Sequence, residues 1–403
     1  MFNCRSCNSH DLEIVLDLGN QPWGNDFIPI VLDVSAPTYP LQLLFCSECG
    51  MVQIGHTIPK ETMFVDHNYV SGTTGSLRRH FELIGKKILE KVDFSSDEYI
   101  LDVGGNDGSF LKFFKAKKIR VLNVDSGRQQ AELSRQSEIT CVNDFFNLDL
   151  ARTIIKKYGQ AKVIHGSGIF FHLEELQSAF NGLKILLQPD GVIVAEFIYL
   201  PEMVRSVAFD QIYHEHLLYY TATSFNKLLD QFDLTIEDAE LAPIHGGTCV
   251  AYVKHKSVVV RTERLNRLLE DEARDGFNDI NVYRMFSKKS AELRDKLKTL
   301  IKKLKDEGLT IHALGAPVKG TTILHYCGLN ENDIDCAVEI NDLKVGTYYP
   351  GTRIPVYHQN NVDPPDVYLL LAWNFKDEII EKLKDFRDRG GKIIVPIPVL
   401  EIL

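Results

Sequence analysis

The sequence predicts an α/β chain of three parts, a small zinc-ribbon module followed by two doubly wound units with mostly parallel sheets. Three observations carry this. Two Cys-x-x-Cys pairs stand within the first 49 residues, an apolar run ending in a glycine-rich turn at Gly104 leads into a helical pattern, and a second strand-helix alternation begins at Leu309. At 403 residues the chain exceeds what one hydrophobic core usually supports. The parts are expected at 1–62, 63–255 and 256–403.

Composition narrows the function classes. Hydrophobic residues make up 44% and charged residues 25% of the chain, the balance of a globular protein with ample core. The formal net charge of -10 would repel a phosphate backbone, so no nucleic acid is expected as a partner. The first residues hold no apolar signal core, and stretches such as Val367 to Trp373 fall far short of the roughly 20 residues that span a bilayer. A cytoplasmic monomer or homodimer without a membrane partner is the expectation.

In the first part, Cys4-Arg5-Ser6-Cys7 and Cys46-Ser47-Glu48-Cys49 each let two thiolates reach one tetrahedral ion from a single turn. Cys4, Cys7, Cys46 and Cys49 would close the shell and leave no open position, so a structural Zn2+ is expected. Two redox pairs are the alternative. The intervening loop, Gly19 to Phe27, carries no lysine or arginine for phosphate and suits a lid or docking role.

In the second part, Tyr99 to Gly104 reads as a strand, and Phe110, Leu111, Phe113 and Phe114 give Ser109 to Lys117 helical spacing. Gly104, Gly105 and Gly108 miss the register of G-x-G-x-x-G, and no GK[ST] ending follows. The form Asp102-x-Gly104-x-Asn106-Asp107-Gly108 looks instead like the first motif of Rossmann-like methyltransferases, which implies S-adenosylmethionine. Ile119 to Asp125 is a second strand, and Asp125 would accept from a ribose about 20 residues after the turn. Ile139 to Asp144 is a third, placing Asp144 and Phe145 where an adenine would lie. Lys162 to Gly168 and Gly191 to Phe197 are the fourth and fifth. The helix Ser224 to Phe232 and the strands Leu234 to Leu241 and Thr248 to Val253 complete a seven-stranded class I order, with the ligand over the carboxyl ends of the strands.

The densest titratable group is Tyr213-His214-Glu215-His216, preceded by Phe209-Asp210-Gln211, on the predicted catalytic edge. A metal at His-x-His and a plain surface loop are the alternatives. His172, ending the fourth strand, reads as a pocket residue or a satisfied core histidine, and His245, before Gly246-Gly247, as a pocket residue or a turn cap.

In the third part, Leu293, Leu297, Leu300, Ile301 and Leu304 make Lys288 to Asp306 an amphipathic helix with a solvated lysine face. Leu309 to Leu314 is then a strand leading through Gly315 to Thr322 into a helix, a lysine-bearing helix start suited to a diphosphate. Ile334 to Ile340, Val367 to Ala372 and Lys392 to Pro396 are further strands, and Tyr348 to Thr352 a binding loop. A packing or dimer domain is the alternative.

These marks together resemble the zinc-containing sugar C-methyltransferases that make branched deoxysugars, and the likeness extends over almost the whole chain. The resemblance implies S-adenosylmethionine-dependent methylation, at C3, of a nucleoside-diphosphate 4-keto-6-deoxyhexose. It makes His216 the base, with Tyr213, Glu215, His172 and Tyr69 beside it, and Glu215 is expected to orient His216 and keep its pKa high. Ser71, Asp102, Gly104, Asn106, Asp107, Gly108, Asp125, Asp144 and Phe145 would hold the cofactor. His245, Lys319, Thr321, Glu339 and Tyr348 would hold the sugar nucleotide, Lys319 at its phosphates. The chain departs from the family in His214, where Asp is usual, and in Ser167-Gly168 ahead of the strand-four histidine. An NAD-dependent sugar-nucleotide enzyme and a zinc-ribbon regulator or RNA methyltransferase are the rival readings.

Overall fold

The computed structural model describes residues 3–32, 34–67, 69–73 and 75–403. Near the amino terminus, strands β1 (Leu12–Pro22), β3 (Thr38–Cys46) and β4 (Val52–Ile54) pair antiparallel, while β2 (Ile28–Pro29) stands apart. The central unit follows with β5 (Tyr99–Val103), β6 (Arg120–Val124), β7 (Cys141–Val142), β8 (Ala161–Ser167) and β9 (Leu187–Ile198), then β10 (Leu218–Tyr219), β11 (Leu234–Ala242) and β12 (Thr248–His255). The seven-stranded sheet runs β11-β12-β9-β8-β5-β6-β7, with β12 alone running antiparallel to the rest.

Every residue of β5 is buried, as a parallel strand covered on both faces requires. The helices begin where polar side chains can satisfy free N–H groups. Asn147 caps Leu148–Tyr158, accepting from the Leu150 N–H at 2.9 Å, and Thr221 forms a capping box with Ser224 ahead of Ala222–Asp230. Because the strand order reverses at β5, the crevice above β5 and β8 is the ligand position of such a sheet.

The amphipathic helix extends over Ile280–Asp306, longer than its lysine-rich stretch, and buries Leu293, Leu297, Ile301 and Leu304. It leads to β13 (Ile311–Leu314), β14 (Cys336–Glu339), β15 (Thr347–Tyr348), β16 (Val356–His358), β17 (Val367–Leu370), β18 (Lys392–Val395) and β19 (Glu401–Ile402). The second large sheet is ordered β16-β14-β13-β17-β18-β19, and its reversal point lies between β13 and β17. Among the described residues no helix is long and apolar enough to cross a membrane.

Two pairings tie the parts together. β10 joins the amino-terminal sheet beside β4, with Leu218 opposite Gln53, and β2 pairs with β15 of the carboxyl-terminal unit. The segment 213–216 therefore runs directly into a strand held by the cysteine-bearing module. The Gly19 to Phe27 stretch, whose first four residues end β1, is a docking element: Trp23 and Asn25 reach Glu215, and the Gly24 carbonyl accepts from Thr321 Oγ1 at 3.2 Å.

Candidate active site

The four sulfurs of Cys4, Cys7, Cys46 and Cys49 lie within 4.8 Å of one another. Cys4 to Cys49 is 3.5 Å and Cys7 to Cys46 is 3.7 Å, against the ~3.8 Å edge that a tetrahedron with ~2.3 Å Zn–S bonds demands. Four thiolates so placed fit a zinc ion and would close its shell. Among the described residues this is the one group of three or more such ligands drawn together.

At the cofactor turn, Gly104 and Gly108 have φ of +68° and +75°, which a side chain would strain. Asn106, also left-handed, donates its N–H to Asp125 Oδ2 at 2.8 Å and accepts from the Ser71 N–H at 3.0 Å. The Gly127 N–H binds the other Asp125 oxygen at 2.8 Å. Burial, with Asp102 and Asp107 nearby, pushes the Asp125 carboxyl up to about 6. Three buried carboxylates crowd this turn; Asp102 is paired with His165 at 2.7 Å, and Asp107 and Asp125 supply the negative charge that suits a cofactor carrying sulfonium and ammonium groups. Asp107 is tied to Ser109 Oγ at 2.8 Å. Asp144 and Phe145 stand after β7, where Asp144 Oδ1 accepts from the Phe145 N–H and Lys60 lies over the Phe145 ring at 4.7 Å.

The side chains of 213–216 diverge. His216 is 3% exposed, packed against Tyr213 with ring centroids 3.9 Å apart, Phe171 at 4.6 Å and His172 at 5.1 Å. Its Nδ1–H donates to the Gln211 carbonyl at 2.9 Å. Nε2 makes no hydrogen bond among the described residues. His214 points to the amino-terminal module, donating to the Pro40 carbonyl at 3.3 Å, so the two histidines do not converge on a metal. His172 donates through Nδ1 to the Glu215 carbonyl at 2.5 Å, and burial pushes its imidazole down to about 4.

The expected Glu215–His216 couple is corrected. The Glu215 carboxylate accepts from Trp23 Nε1 at 2.7 Å and Asn25 Nδ2 at 3.0 Å, so it serves the docking loop instead. Burial first, then the neighbouring His172, pushes His216 well below the ordinary histidine range. The imidazole is held neutral. Tyr69 is half exposed, its carbonyl accepting from Asn106 and Gln130 near the cofactor turn.

Lys319 turns inward from the start of helix Val318–Cys327. Its Nζ sits 3.7 Å from Asp210 Oδ2 and 3.8 Å above the Trp373 ring. Asp210 cancels much of the charge a diphosphate would seek, which is why the phosphate role read from the loop does not match this geometry. Glu339 caps the β13 loop, accepting from the Ala316 N–H at 2.7 Å, and His245 sits at a left-handed position with its carbonyl bound by Gln211 Nε2. Tyr348 lines a separate cavity of about 300 Å³ with Asp26, His325 and Arg353, and the Arg353 guanidinium lies 5.4 Å over its ring. Asp210, Gln211 and Trp373 had no role read from sequence; the nearness of Phe209-Asp210-Gln211 to the histidine cluster was the one available signal.

Three known domain families match the chain in order: "Putative zinc binding domain" over residues 4–64, "Methyltransferase domain" over 77–239 and "C-methyltransferase C-terminal domain" over 243–398. The chain is 29% identical over 399 residues to C-methyltransferase NovU of Streptomyces niveus, covering 98% of this chain and 95% of that one. Among solved structures it is similar to a SAM-dependent methyltransferase from Anabaena variabilis, 17% identical over 43% of this chain and 84% of that one with a TM-score of 0.35. It is also similar to the PH0226 protein of Pyrococcus horikoshii, 16% identical over 47% and 95% with a TM-score of 0.36. With a cysteine cluster shaped for zinc, an acid-ringed cofactor turn and all three domains in sequence, the chain is a zinc-binding, S-adenosylmethionine-dependent C-methyltransferase.

Proposed function

We propose that the protein methylates C3 of a nucleoside-diphosphate 4-keto-6-deoxyhexose, with His216 as the base. The observation that carries this reading is the state of His216: neutral, its Nδ1–H committed to the Gln211 carbonyl, its Nε2 lone pair uncommitted among the described residues, with Tyr213 and His172 packed beside the ring. A carbon acceptor must first lose a proton. Beside a ketone this is feasible, because the electron pair of the broken C–H bond moves onto the carbonyl oxygen as an enolate. His216 Nε2 takes that proton, a contribution of roughly 10² to 10⁴ in rate. The Tyr213 phenol, which burial holds fully protonated, donates to the enolate oxygen, worth roughly 3 to 4 kcal/mol if well aimed. The cofactor, held by the 102–108 turn and Asp125, supplies the electrophilic methyl group.

The nucleotide is assigned to the cavity lined by Tyr348, His325 and Arg353. Residues 23–26 connect the Glu215 contact to that cavity through a turn closed by the Asp26 N–H on the Trp23 carbonyl at 3.0 Å. Incubation with methyl-labelled S-adenosylmethionine and a set of 4-keto-6-deoxyhexose nucleotides tests the reading. Label on the sugar is expected; label on none of them overturns it. His216→Ala should abolish solvent exchange of the C3 proton while cofactor affinity stays near normal, and wild-type exchange would remove His216 from the base role.

A further inference from the structure

The reach of His216 depends on a carbonyl that cannot hold its own place. Gln211 ends a single 3-10 turn, Phe209–Gln211, with no side-chain cap at its start. One such turn has little stability by itself, so its position must be imposed from outside. The contacts that impose it come largely from the carboxyl-terminal unit. Trp373 Nε1 donates to Asp210 Oδ2 at 2.6 Å, Lys319 Nζ lies 3.7 Å from the same oxygen, Thr322 Oγ1 donates to the Ile212 carbonyl at 2.8 Å, and Tyr326 packs on Phe209 at 5.1 Å. Asp210 is fully buried, so the nearby Lys319 charge and the indole N–H are what stabilise its carboxylate.

A carbonyl oxygen only accepts. Facing Gln211, His216 must therefore carry its proton on Nδ1, and the lone pair is left on Nε2. Moving the turn by an ångström would free Nδ1 and let the proton settle on either nitrogen.

We infer that Asp210, gripped by Trp373 and Lys319, is a positioning residue that fixes the tautomer and aim of His216 through the Gln211 carbonyl. The carboxyl-terminal unit thus builds part of the methyl-transfer site. This deepens the proposed function and rests on its assignment of the base.

The test uses the full-length zinc-loaded protein with ¹⁵N-labelled histidine. In the wild type without ligand, the His216 ring is expected as the Nδ1–H tautomer. Trp373→Phe keeps the ring and deletes the donor, and Asp210→Asn keeps an acceptor for the indole. Trp373→Phe should give a mixture of tautomers and lower kcat for methyl transfer by roughly 10²-fold, with KM for the sugar nucleotide and affinity for S-adenosylhomocysteine little changed. Asp210→Asn should retain most of the Nδ1–H form. If the His216 tautomer in Trp373→Phe is that of the wild type, the proposal fails, and equally if KM rises while kcat holds. Because the tautomer is read without substrate, a shift of tautomer in a protein that methylates no keto sugar would uphold the positioning role and overturn the function.

Discussion

Under the cofactor turn, His165 donates to Asp102 at 2.7 Å and to Glu196 at 3.3 Å, and His80 donates to Glu196 at 2.9 Å. Between the central and carboxyl-terminal units, by contrast, Lys319 stands 3.7 Å from Asp210, and Lys319 Nζ and Asp210 Oδ1 are buried without a hydrogen-bond partner among the described residues. Both clusters are buried ion pairs, yet the groups respond oppositely. Burial alone would lower His165, but Asp102 and Glu196 carry it up to about 9, and His165 and His80 hold Glu196 down at about 2 against the same burial. At the interface burial prevails, bringing Lys319 down to about 8 and Asp210 up. A buried pair stabilises its charges only when hydrogen bonds complete it. The first cluster is a rigid floor for the cofactor turn; the second retains polar atoms unspent where two units meet.

The largest contrast should come from breaking the floor. His165→Leu leaves Asp102 and Glu196 facing each other and should cost about 3 to 5 kcal/mol in urea unfolding. Lys319→Met should cost clearly less, because Asp210 can take up a proton, and the pair Lys319→Met with Asp210→Asn should lie near neutral; equal losses at both sites would erase the distinction. The pH dependence sharpens it. His165 binds its proton more tightly folded than unfolded, so its contribution is full below the ordinary histidine value of 6.5 and is lost as pH rises through about 9. For Lys319 the sign reverses: the unfolded chain binds the proton more tightly, so stability is gained between about 8 and 10.5. Urea midpoints at pH 6.5 and 9 for wild type and His165→Leu should converge at the higher pH. The smallest effect is expected of Ser167→Ala, which removes a 3.2 Å hydrogen bond to a Glu196 already held by two histidines, about 1 kcal/mol by the same measurement.

What could be read ahead of the structure was local. The Cys-x-x-Cys spacing, the glycine register and the strand-helix periods each lie within a few residues, where geometry dictates residue type, and they carried the three-part plan and the seven-strand order. The clusters just compared were not readable in that way. His80 follows two arginines on a helix and His165 ends an apolar run, neither with a neighbour that marks it, and Trp373 meets Asp210 across 163 residues, a contact with no period to announce it. Glu215 was misread for a related reason. Adjacent positions in an irregular segment need not share a side, and it faces Trp23, 192 residues away, while His216 faces Gln211.

The pairing of β10 with β4 bears on how such a protein can be taken apart. The segment bearing His214 and His216 is a strap stitched at one edge to the metal-bearing sheet, with Leu217 N–H bonded to the Phe171 carbonyl on the other side. Deleting the first 60 residues would therefore strip a seam from this strap and expose the open backbone of β10. The cysteine-bearing module is not a detachable bead but a neighbour that holds the 213–219 segment in place, and grafting the central unit alone onto another protein would carry the fold without that support.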